Sequence, residues 1–486
     1  MLIGIDIGTT NVKAVACSDT GEVLASAERP NKVLSPQPGR SEQEPEAVFQ
    51  NVLAVLEDVI RPTTSSRLTS ALQGIVFSSA MHGLAALDGK GQPLTNFLLW
   101  SDLRADPIAQ QLRQSKEGVE IYRRTGVPVH AMSPLCKLIW LRQNRPDIFQ
   151  KAHKFLGIKE YVWYRLTGKY EADLSIASAT GLMNIHRNKW DEAAMALADI
   201  SSEQLPALVS PSFTTQFSDN PRLSESFKLS ESSLKGAPLI IGASDGALAN
   251  LGSGATEPGQ VAVTIGTSAA IRTMTDVPVP DDQMRTFCYR LDERRCILGG
   301  ASNNGTNALE WLRSSVMRSQ SGAEQFANQA LGVPPGSDDL LFLPYLLGER
   351  APLYRASASG SFQGLTGAHG QAHFVRAVME GVLFNLKIIA GALEAHHPLR
   401  TLHAGGGFSK NRLWVQMLAD IFQKPVLVNE NDADASVLGA LKFARTVLNL
   451  PQMPDNQRGR VVEPDVDKAD VYEAAFQRFK ALIAFE

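Results

Sequence analysis

The amino-acid sequence predicts an α/β protein with two domains, and three observations support this fold class. The 486 residues exceed the size at which a single hydrophobic core stops growing. Short apolar runs typical of strands alternate along the chain with longer segments of helical periodicity. An apolar run that ends in Ile-Gly-Thr-Thr at residues 7–10 recurs, with the ending Ile-Gly-Thr-Ser, at residues 265–268. The recurrence indicates two related halves.

The N-terminal half opens with three predicted strands, LIGIDIG, VKAVAC and EVLASAE, which are joined by tight turns. Ser41-Glu42-Gln43-Glu44 is a capping-box pattern, and Pro45 suits the first turn of a helix. The apolar stripe of that helix consists of Val48, Val52, Val55, Leu56 and Val59. LQGIVFS then predicts a further strand.

The boundary between the domains is predicted after residue 243, which gives an N-terminal domain over 1–243 and a C-terminal domain over 244–486. Residues 201–235 are rich in serine, as expected of a surface excursion before the strand LIIGAS. In the second half, QVAVTIGTSAAIRTM predicts strand, turn and strand, and RTLHAGGGFSKN predicts strand, glycine turn and helix start. The strand PVLVNE and a helix from about Ala435 to Leu448 close the core.

Composition argues against several classes of function. Lys and Arg total 47 against 50 Asp and Glu, so the chain lacks the positive charge that nucleic-acid binding requires. The four cysteines form no CxxC pair, which fits neither a zinc site nor a disulfide framework and favours a reducing cytoplasm. Leu68 to Leu87 is uncharged but contains polar residues, so we expect a buried strand and a polar loop, not a membrane span. Asp6 interrupts the apolar start, which argues against a secretory signal.

Three glycine turns are candidates for nucleotide binding. Both Ile-Gly-Thr turns combine close backbone approach with hydroxyl and N–H donors that can wrap a phosphate, although each could be a simple hairpin. A third turn contains Gly406 and Gly407, which would let backbone approach a flat ligand, and Asn411 could bind a base or cap the helix that follows. The candidates in the first two turns are Thr9, Thr10, Gly266, Thr267 and Ser268.

Two carboxylates are candidates for the chemistry. Asp6 lies inside an apolar strand, where an uncompensated charge is costly, so either Mg²⁺ beside the phosphates or neighbouring backbone N–H groups must satisfy it. Asp245 ends the strand LIIGAS, at a strand tip where α/β proteins place reactive groups. It is our candidate for the general base that accepts the proton of a bound hydroxyl, and its alternative role is to cap the following helix.

Two further segments contain candidate substrate-binding residues. Met81 and His82 follow a predicted strand, where a histidine could hydrogen-bond a polyol, although a lone histidine is more often structural. Asp102 and Arg104 suit the binding of hydroxyls or of an acid group, but such a pair is also a common surface ion pair.

Together, GIDIGTTNVKAV, VTIGTSAAI and HAGGGFSKN resemble the two phosphate motifs and the adenosine motif of the superfamily that joins sugar kinases, actin and the heat-shock chaperone ATPases. MSPLCKLIWLRQN from Met132 and GSFQGLTGAHGQAHFVRAVME from Gly360 resemble signatures of the FGGY family of carbohydrate kinases. The resemblance covers essentially the whole chain. It implies two ribonuclease-H-like domains that close on a catalytic cleft, with sugar bound mainly by the first and nucleotide mainly by the second.

The resemblance also implies roles for the candidate residues. Asp245 falls on the catalytic aspartate of the family, Asp6 on the aspartate linked to magnesium, and Met81 and His82 on sugar-contacting positions. The implied cofactors are ATP and Mg²⁺. The positions that match the phosphate loops and the adenosine site are Thr9, Thr10, Gly266, Thr267, Ser268, Gly406, Gly407 and Asn411.

Finer features, among them SSAMHG, LLWSDLRA, GIKEY and IGASDG, resemble the family members that phosphorylate gluconate. Xylulose kinases share several of these positions but typically have glutamine where Ala80 stands. Departures from the gluconate pattern at Ala301-Ser302 and Thr306 keep xylulose as the alternative substrate. The basic residues that could meet a sugar-acid carboxylate are Arg104, Lys159 and Arg272, of which Arg104 is the candidate.

The sequence thus predicts an ATP- and Mg²⁺-dependent kinase for the terminal hydroxyl of D-gluconate, with D-xylulose as the alternative. A nucleotide-gated binding protein is a third hypothesis, which the sugar-side segments and the intact Asp245 disfavour. The predicted partners are a small sugar or sugar acid and ATP, with no nucleic acid and no membrane, and a homodimer is left open. The predicted location is the cytoplasm.

Overall fold

The computed structural model describes residues 1–65, 72–216, 236–429, 435–453 and 459–483. Two large β-sheets, one in each half of the chain, organise the fold. The first sheet consists of β1 (Leu2–Ile7), β2 (Asn11–Cys17), β3 (Val23–Pro30), β4 (Gly74–Ser79), β5 (Thr214–Thr215) and β6 (Leu239–Ser244). The second consists of β7 (Gln260–Ile265), β8 (Ala269–Thr275), β9 (Phe287–Arg290), β10 (Cys296–Ser302), β11 (Thr401–Gly405), β12 (Val426–Asn429) and β13 (Gly459–Val462).

The two sheets share one strand order and one pattern of directions. The order is β3-β2-β1-β4-β6-β5 in the first sheet and β10-β8-β7-β11-β12-β13 in the second, in which β9 is added beyond β10. In each sheet the first strand is antiparallel to the strand that follows it in the chain and parallel to a later one. The next strands outward, β3 and β10 on one side and β6 and β12 on the other, repeat the same directions. This repeated topology confirms an α/β fold built from two related halves.

Helices connect the strands of both sheets. Before residue 245 they are α1 (Pro45–Ser65), α2 (Asp106–Arg113), α3 (Lys116–Thr125), α4 (Pro134–Asn144), α5 (Pro146–Phe149), α6 (Ile158–Thr167), α7 (Leu174–Ser178) and α8 (Glu192–Ala198). After it they are α9 (Asp245–Gly252), α10 (Thr306–Trp311), α11 (Ala323–Ala327), α12 (Gln371–Glu394), α13 (Arg412–Phe422), α14 (Ala435–Val447) and α15 (Ala469–Ala481). Short strands lie at Glu42–Gln43, Ala85–Leu87, Phe97–Leu98, Lys154–Leu156, Glu171–Asp173, Met183–Asn184, Lys189–Trp190, Ala207–Val209, Leu341–Leu343 and Ser361–Gln363.

Helix α1 covers the first sheet with the predicted apolar stripe, all five residues of which are buried. The predicted capping box does not form. Glu42–Gln43 instead pairs as a short antiparallel strand with Phe97–Leu98, and the Ser41 hydroxyl accepts a hydrogen bond from Ser101 at 2.8 Å. The helix begins at Pro45, because the strand pairing already satisfies the backbone before it.

Two helices that cross each other form a close packing contact between the halves of the chain. Helix α14, which belongs to the second half, packs on β1 and β4 of the first sheet and crosses α9 closely. A Cβ atom on Gly252 would lie 1.9 Å from the carbonyl oxygen of Ala435, and one on Gly439 would lie 1.8 Å from that of Leu248. Any larger residue at either glycine would therefore force the helices apart.

Strand β6 ends at Ser244, where the first sheet ends in the chain, and the domain boundary predicted after residue 243 stays a prediction. Residues 217–235 of the serine-rich segment and residues 68–71 of the uncharged stretch lie outside the described residues. All four cysteines are buried and unpaired by disulfides. In the described part of the chain, no helix combines the length and apolarity that crossing a membrane requires.

Candidate active site

The first Ile-Gly-Thr turn is a tight hairpin between β1 and β2. The Gly8 amide donates to the carbonyl of Asn11 at 2.9 Å, and a Cβ atom on Gly8 would lie only 2.9 Å from that oxygen. The indole N–H of Trp100 donates to the Thr9 hydroxyl at 3.1 Å, and the Thr10 side chain is exposed. This turn can therefore be both a hairpin and a phosphate-binding loop, because its hydroxyls and its glycine lie at the open end of the strands.

The second turn, between β7 and β8, is supported by the segment that leads into α10. The Gly305 amide donates to the carbonyl of Thr267 at 3.1 Å, and the Thr306 amide donates to that of Gly266 at 2.7 Å. A Cβ atom on Gly305 would approach the Gly266 oxygen to 2.4 Å, so only glycine fits there. By contrast, Gly266 itself faces open space, as a backbone that receives a phosphate must.

Asp6 lies beneath the first turn. The Ser78 hydroxyl donates to its Oδ1 atom at 2.6 Å, and its Oδ2 atom lies 3.9 Å from the position of a Cβ atom on Gly8. Within the described residues no group of three or more His, Cys, Asp or Glu side chains could hold a metal. The donor set fits Mg²⁺ held by one carboxylate together with phosphate oxygens and waters, the arrangement that this ion favours at nucleotide sites.

Asp245 is the first residue of α9, but it does not cap the helix. Ser244 is the capping residue, since its hydroxyl accepts from the Ala247 amide at 3.4 Å and also hydrogen-bonds the Ser175 hydroxyl at 2.9 Å. The Oδ1 atom of Asp245 accepts from the adjacent Gly246 amide at 2.6 Å. The alternative role of Asp245 as the helix cap is thus taken by its neighbour.

Side chains from both halves meet over the first turn of α9. A Cβ atom on Gly246 would lie 3.4 Å from Cε of Met81 and 3.3 Å from Nε of Arg272. Met81 follows β4 of the first sheet, and Arg272 belongs to β8 of the second. The structure therefore brings the predicted residue Met81, and an arginine from the opposite half, to Gly246, the residue that follows Asp245.

His82 is buried and held as a neutral ring. Its Nδ1 atom lies 2.8 Å from the carbonyl oxygen of Ala179, and because a carbonyl only accepts, Nδ1 carries the proton. Burial, reinforced by the nearby charges of Lys137 and Arg350, lowers the pKa of His82 to about 3. In the neutral ring Nε2 has a free lone pair, which suits a hydroxyl group that donates a hydrogen bond.

Two buried residues near His82 were not among the candidates from the sequence. Nζ of Lys137 donates to the carbonyls of His82 at 2.6 Å and Leu99 at 2.7 Å, and so joins the two segments that surround the site. His130 accepts from the Met132 amide at Nδ1, so its Nε2 atom carries the proton, and burial lowers its pKa to about 3. A lysine inside the apolar helix segment PLCKLIWL was the one sequence signal that could have identified Lys137.

Asp102 and Arg104 bind each other. Nε of Arg104 donates to Oδ1 of Asp102 at 2.7 Å, and its terminal nitrogen also donates to Glu42. Asp102 is fully buried and accepts from the Ser41 amide at 2.8 Å. Lys159 is engaged in the same way, in a buried ion pair with Asp173 at 2.7 Å. A role of Asp102 and Arg104 in substrate binding stays a prediction.

The third glycine turn lies beside the second phosphate turn. Gly406 has a φ of +89°, and a Cβ atom on it would lie 2.7 Å from the carbonyl oxygen of Ile265, so glycine is required there. Asn411 caps α13, since its Oδ1 atom accepts from the Trp414 amide at 2.9 Å. Gly407 and Asn411 line a cavity of about 410 Å³, which is large enough for an adenosine group.

The chain is similar to known proteins over most of its length. Residues 1–252 match the N-terminal domain, and residues 261–446 the C-terminal domain, of the FGGY family of carbohydrate kinases. A gluconokinase of Bacillus subtilis (strain 168) is 40% identical over 459 residues, which cover 90% of this chain and 86% of that protein. The crystal structure of a gluconate kinase from Lactobacillus acidophilus superposes with a TM-score of 0.92 at 33% identity, covering 99% of this chain and 97% of that one. A ligand-bound xylulose kinase from the same organism gives the same four values.

Proposed function

The chain belongs to the FGGY family of carbohydrate kinases, and from this premise we propose that it transfers phosphate from ATP to the terminal hydroxyl of D-gluconate, with Asp245 as the general base. As a member of that family it is a two-domain sugar kinase, an enzyme that phosphorylates an alcohol. The observation that carries the choice of an acid substrate is the position of Arg272, whose Nε atom lies 3.3 Å from a Cβ position on Gly246, the residue that follows Asp245.

The two Ile-Gly-Thr turns would bind the phosphates of ATP. Thr9, Thr10, Thr267 and Ser268 supply hydroxyl groups, and Gly266 supplies an unobstructed backbone. The adenosine group would occupy the cavity beside Gly406, Gly407 and Asn411. Asp6 would hold Mg²⁺ through a carboxylate oxygen, and the ion would neutralise charge on the phosphates.

The proposed chemistry divides between proton transfer and positioning. As the terminal hydroxyl oxygen of the sugar acid bonds to the γ-phosphorus and the bond to ADP breaks, Asp245 accepts the hydroxyl proton. Met81 contacts the carbon chain beside Asp245, and Nε2 of His82 accepts a hydrogen bond from a substrate hydroxyl. Most of the rate enhancement comes from alignment and from charge neutralisation at the phosphates.

D-xylulose is the second candidate, because the xylulose kinase structure from Lactobacillus acidophilus is as similar as the gluconate kinase structure. A neutral ketose would use the same base and the same nucleotide site. It would leave the hydrogen-bond donors of Arg272 without a substrate carboxylate, and for this reason we favour the acid. A homodimer and a cytoplasmic location stay predictions.

An ADP-release assay over a panel of acceptors tests the proposal. Purified protein with ATP and Mg²⁺ is expected to turn over D-gluconate with a kcat/KM at least tenfold above those for D-xylulose and glycerol, and chelation of Mg²⁺ should abolish turnover. Preference for D-xylulose would replace gluconate as the substrate but keep the kinase. The absence of turnover with every acceptor would favour the nucleotide-gated binding protein.

A further inference from the structure

We propose that Arg272 binds the carboxylate of the sugar acid and, with Arg350 beside it, makes the site selective for acids over neutral sugars. The inference rests on the proposed function, because it names the residue that recognises the acid group of that substrate. Four observations support it: the space around Arg272, the availability of its guanidinium, the charge of the site, and the two halves from which the site is built.

The backbone around Arg272 is shaped to admit its side chain. Arg272 pairs with Gly299 across β8 and β10, and a Cβ atom on Gly299 would lie 3.1 Å from Cγ of Arg272. At the far end, the absence of a side chain on Gly246 leaves room for Nε, which lies 3.3 Å from a Cβ position there. Glycines therefore lie beside both the aliphatic part and the guanidinium of Arg272. They leave room for the guanidinium next to Gly246, the residue that follows Asp245.

The guanidinium of Arg272 is available to a ligand, whereas the other basic candidates are engaged. No hydrogen bond or ion pair of the Arg272 side chain is found among the residues that the structure describes, although the charge of Asp245 acts on it. Arg104 is paired with two carboxylates, and Lys159 with one. Because a guanidinium has five N–H donors in a planar fork, an unoccupied one suits the two oxygens of a carboxylate.

Cationic side chains from several segments of the chain surround the site. Arg113, Lys137 and Arg350 all lie close enough to His130 to lower its pKa, and Arg350 also acts on Arg272. Of the ionised carboxylates, Asp245 is the one that offsets this charge at Arg272. Carboxylates act on the other cations as well: Asp281 on Arg113, Asp102 on Lys137, and Glu349 on Arg350. A substrate carboxylate would therefore bind at Arg272, whose counter-charge is Asp245.

Arg350 has a supporting part. Its Nε atom donates to Oδ1 of Asn303 at 2.8 Å, and its terminal nitrogen donates to the carbonyl of Ser302 at 3.2 Å. Part of the Arg350 guanidinium is thus occupied, so Arg350 would act on the substrate carboxylate mainly through its charge and less through direct hydrogen bonds. Since Arg272 comes from the second sheet and Met81 from the first half, one acid molecule would contact both halves at once.

The test measures substrate selectivity in Arg272→Gln, with D-glucitol as the neutral analogue, which has a hydroxymethyl group in place of the carboxylate. We expect kcat/KM for D-gluconate to fall by about 30- to 200-fold, as for the loss of a charged hydrogen bond, and kcat/KM for D-glucitol and KM for ATP to stay within threefold. Arg272→Lys, which keeps the charge but not the fork, should recover part of the loss. Arg295→Gln, which removes an arginine that pairs with Asp292 on the β9–β10 hairpin, is the matched control and should behave as wild type.

The outcomes separate the two proposals. A wild-type enzyme that uses D-gluconate, together with an Arg272→Gln variant that uses it equally well, overturns the role of Arg272 and leaves the proposed function intact. Equal losses with D-gluconate and D-glucitol also overturn it, because they indicate a structural role. A wild-type enzyme that does not phosphorylate D-gluconate overturns both. If Arg272→Gln does not fold, Arg272→Lys decides, since an unchanged gluconate preference in that variant contradicts bidentate binding.

Discussion

The guanidinium of Arg350 stacks on the indole of Trp100, with its central carbon 4.5 Å from the ring centroid. Trp100 in turn donates its indole N–H to Thr9 in the first phosphate turn, and Arg350 donates to Asn303, close to the second. The pair is therefore a direct contact across the cleft, and it connects the two turns that we assign to the phosphates of ATP.

A double-mutant cycle tests this contact. Trp100→Leu removes the aromatic face together with the N–H bond to Thr9, and Arg350→Met removes the cation. We expect a coupling energy of about 0.5–2 kcal/mol between the two positions in the binding of ATP, the range for a partly desolvated cation–π pair. Calorimetric titration of ATP into the four proteins supplies the measurement, and additive effects would show that the stack does not influence the nucleotide site.

The hydroxyl of Thr267 in the second turn is assigned to a phosphate oxygen. Thr267→Val is nearly isosteric, so the loop should keep the support that Gly305 gives it through the backbone. Loss of the hydroxyl should weaken ATP binding by about 1–3 kcal/mol, because a charged phosphate oxygen of ATP loses a hydrogen-bond donor. An ATP dissociation constant equal to that of the wild type would place the phosphates elsewhere.

The two buried histidines make stability dependent on pH. In the unfolded chain an imidazole has a pKa near 6.5, whereas in the fold the pKa of His130 is lowered to about 3. Between these values the unfolded chain binds more protons, so stability is complete above about pH 6.5 and declines as the pH falls. The wild type should lose unfolding free energy between pH 6.5 and pH 5, and in His130→Gln this loss should be smaller by about 2 kcal/mol. Urea denaturation of both proteins at the two pH values measures it, and parallel losses would contradict the assignment.

The local elements of this protein are readable from its sequence. The hairpins β1–β2 and β7–β8 follow from apolar runs on either side of an Ile-Gly-Thr turn, and the core face of α1 follows from its periodicity. These features depend on neighbours within a few residues. The candidate site is harder to predict from the sequence, because Lys137 binds the carbonyls of His82 and Leu99, which lie in segments far along the chain.

Asp102 and Arg104 also show a limit of prediction from sequence, because their partners come from a distant segment. Their spacing suggests a ligand site, but the partner that occupies Arg104 is Glu42, which is brought close by the pairing of the Glu42–Gln43 strand with Phe97–Leu98. That pairing also displaces the capping box predicted at Ser41. A two-residue strand has too little periodicity to be recognised in sequence.

Binding of the two substrates should be coupled. If the nucleotide lies mainly on one half and the sugar acid on the other, both ligands favour the closed cleft, and each tightens the other by the same factor. We expect D-gluconate to lower the dissociation constant of a non-hydrolysable ATP analogue, and small-angle scattering to show a smaller radius of gyration with both ligands than with neither. Independent binding without compaction would indicate a preformed cleft.

The turnover of Asp245→Asn tests the central claim most directly. The amide is nearly isosteric with the carboxylate but cannot accept the proton, and Ser244 rather than Asp245 caps α9, so the fold should be kept. With D-gluconate, ATP and Mg²⁺ we predict that kcat falls by roughly 10² to 10⁴ while the ATP dissociation constant and the melting temperature stay near those of the wild type. A variant that phosphorylates D-gluconate at close to the wild-type rate would contradict the assignment of Asp245 as the base.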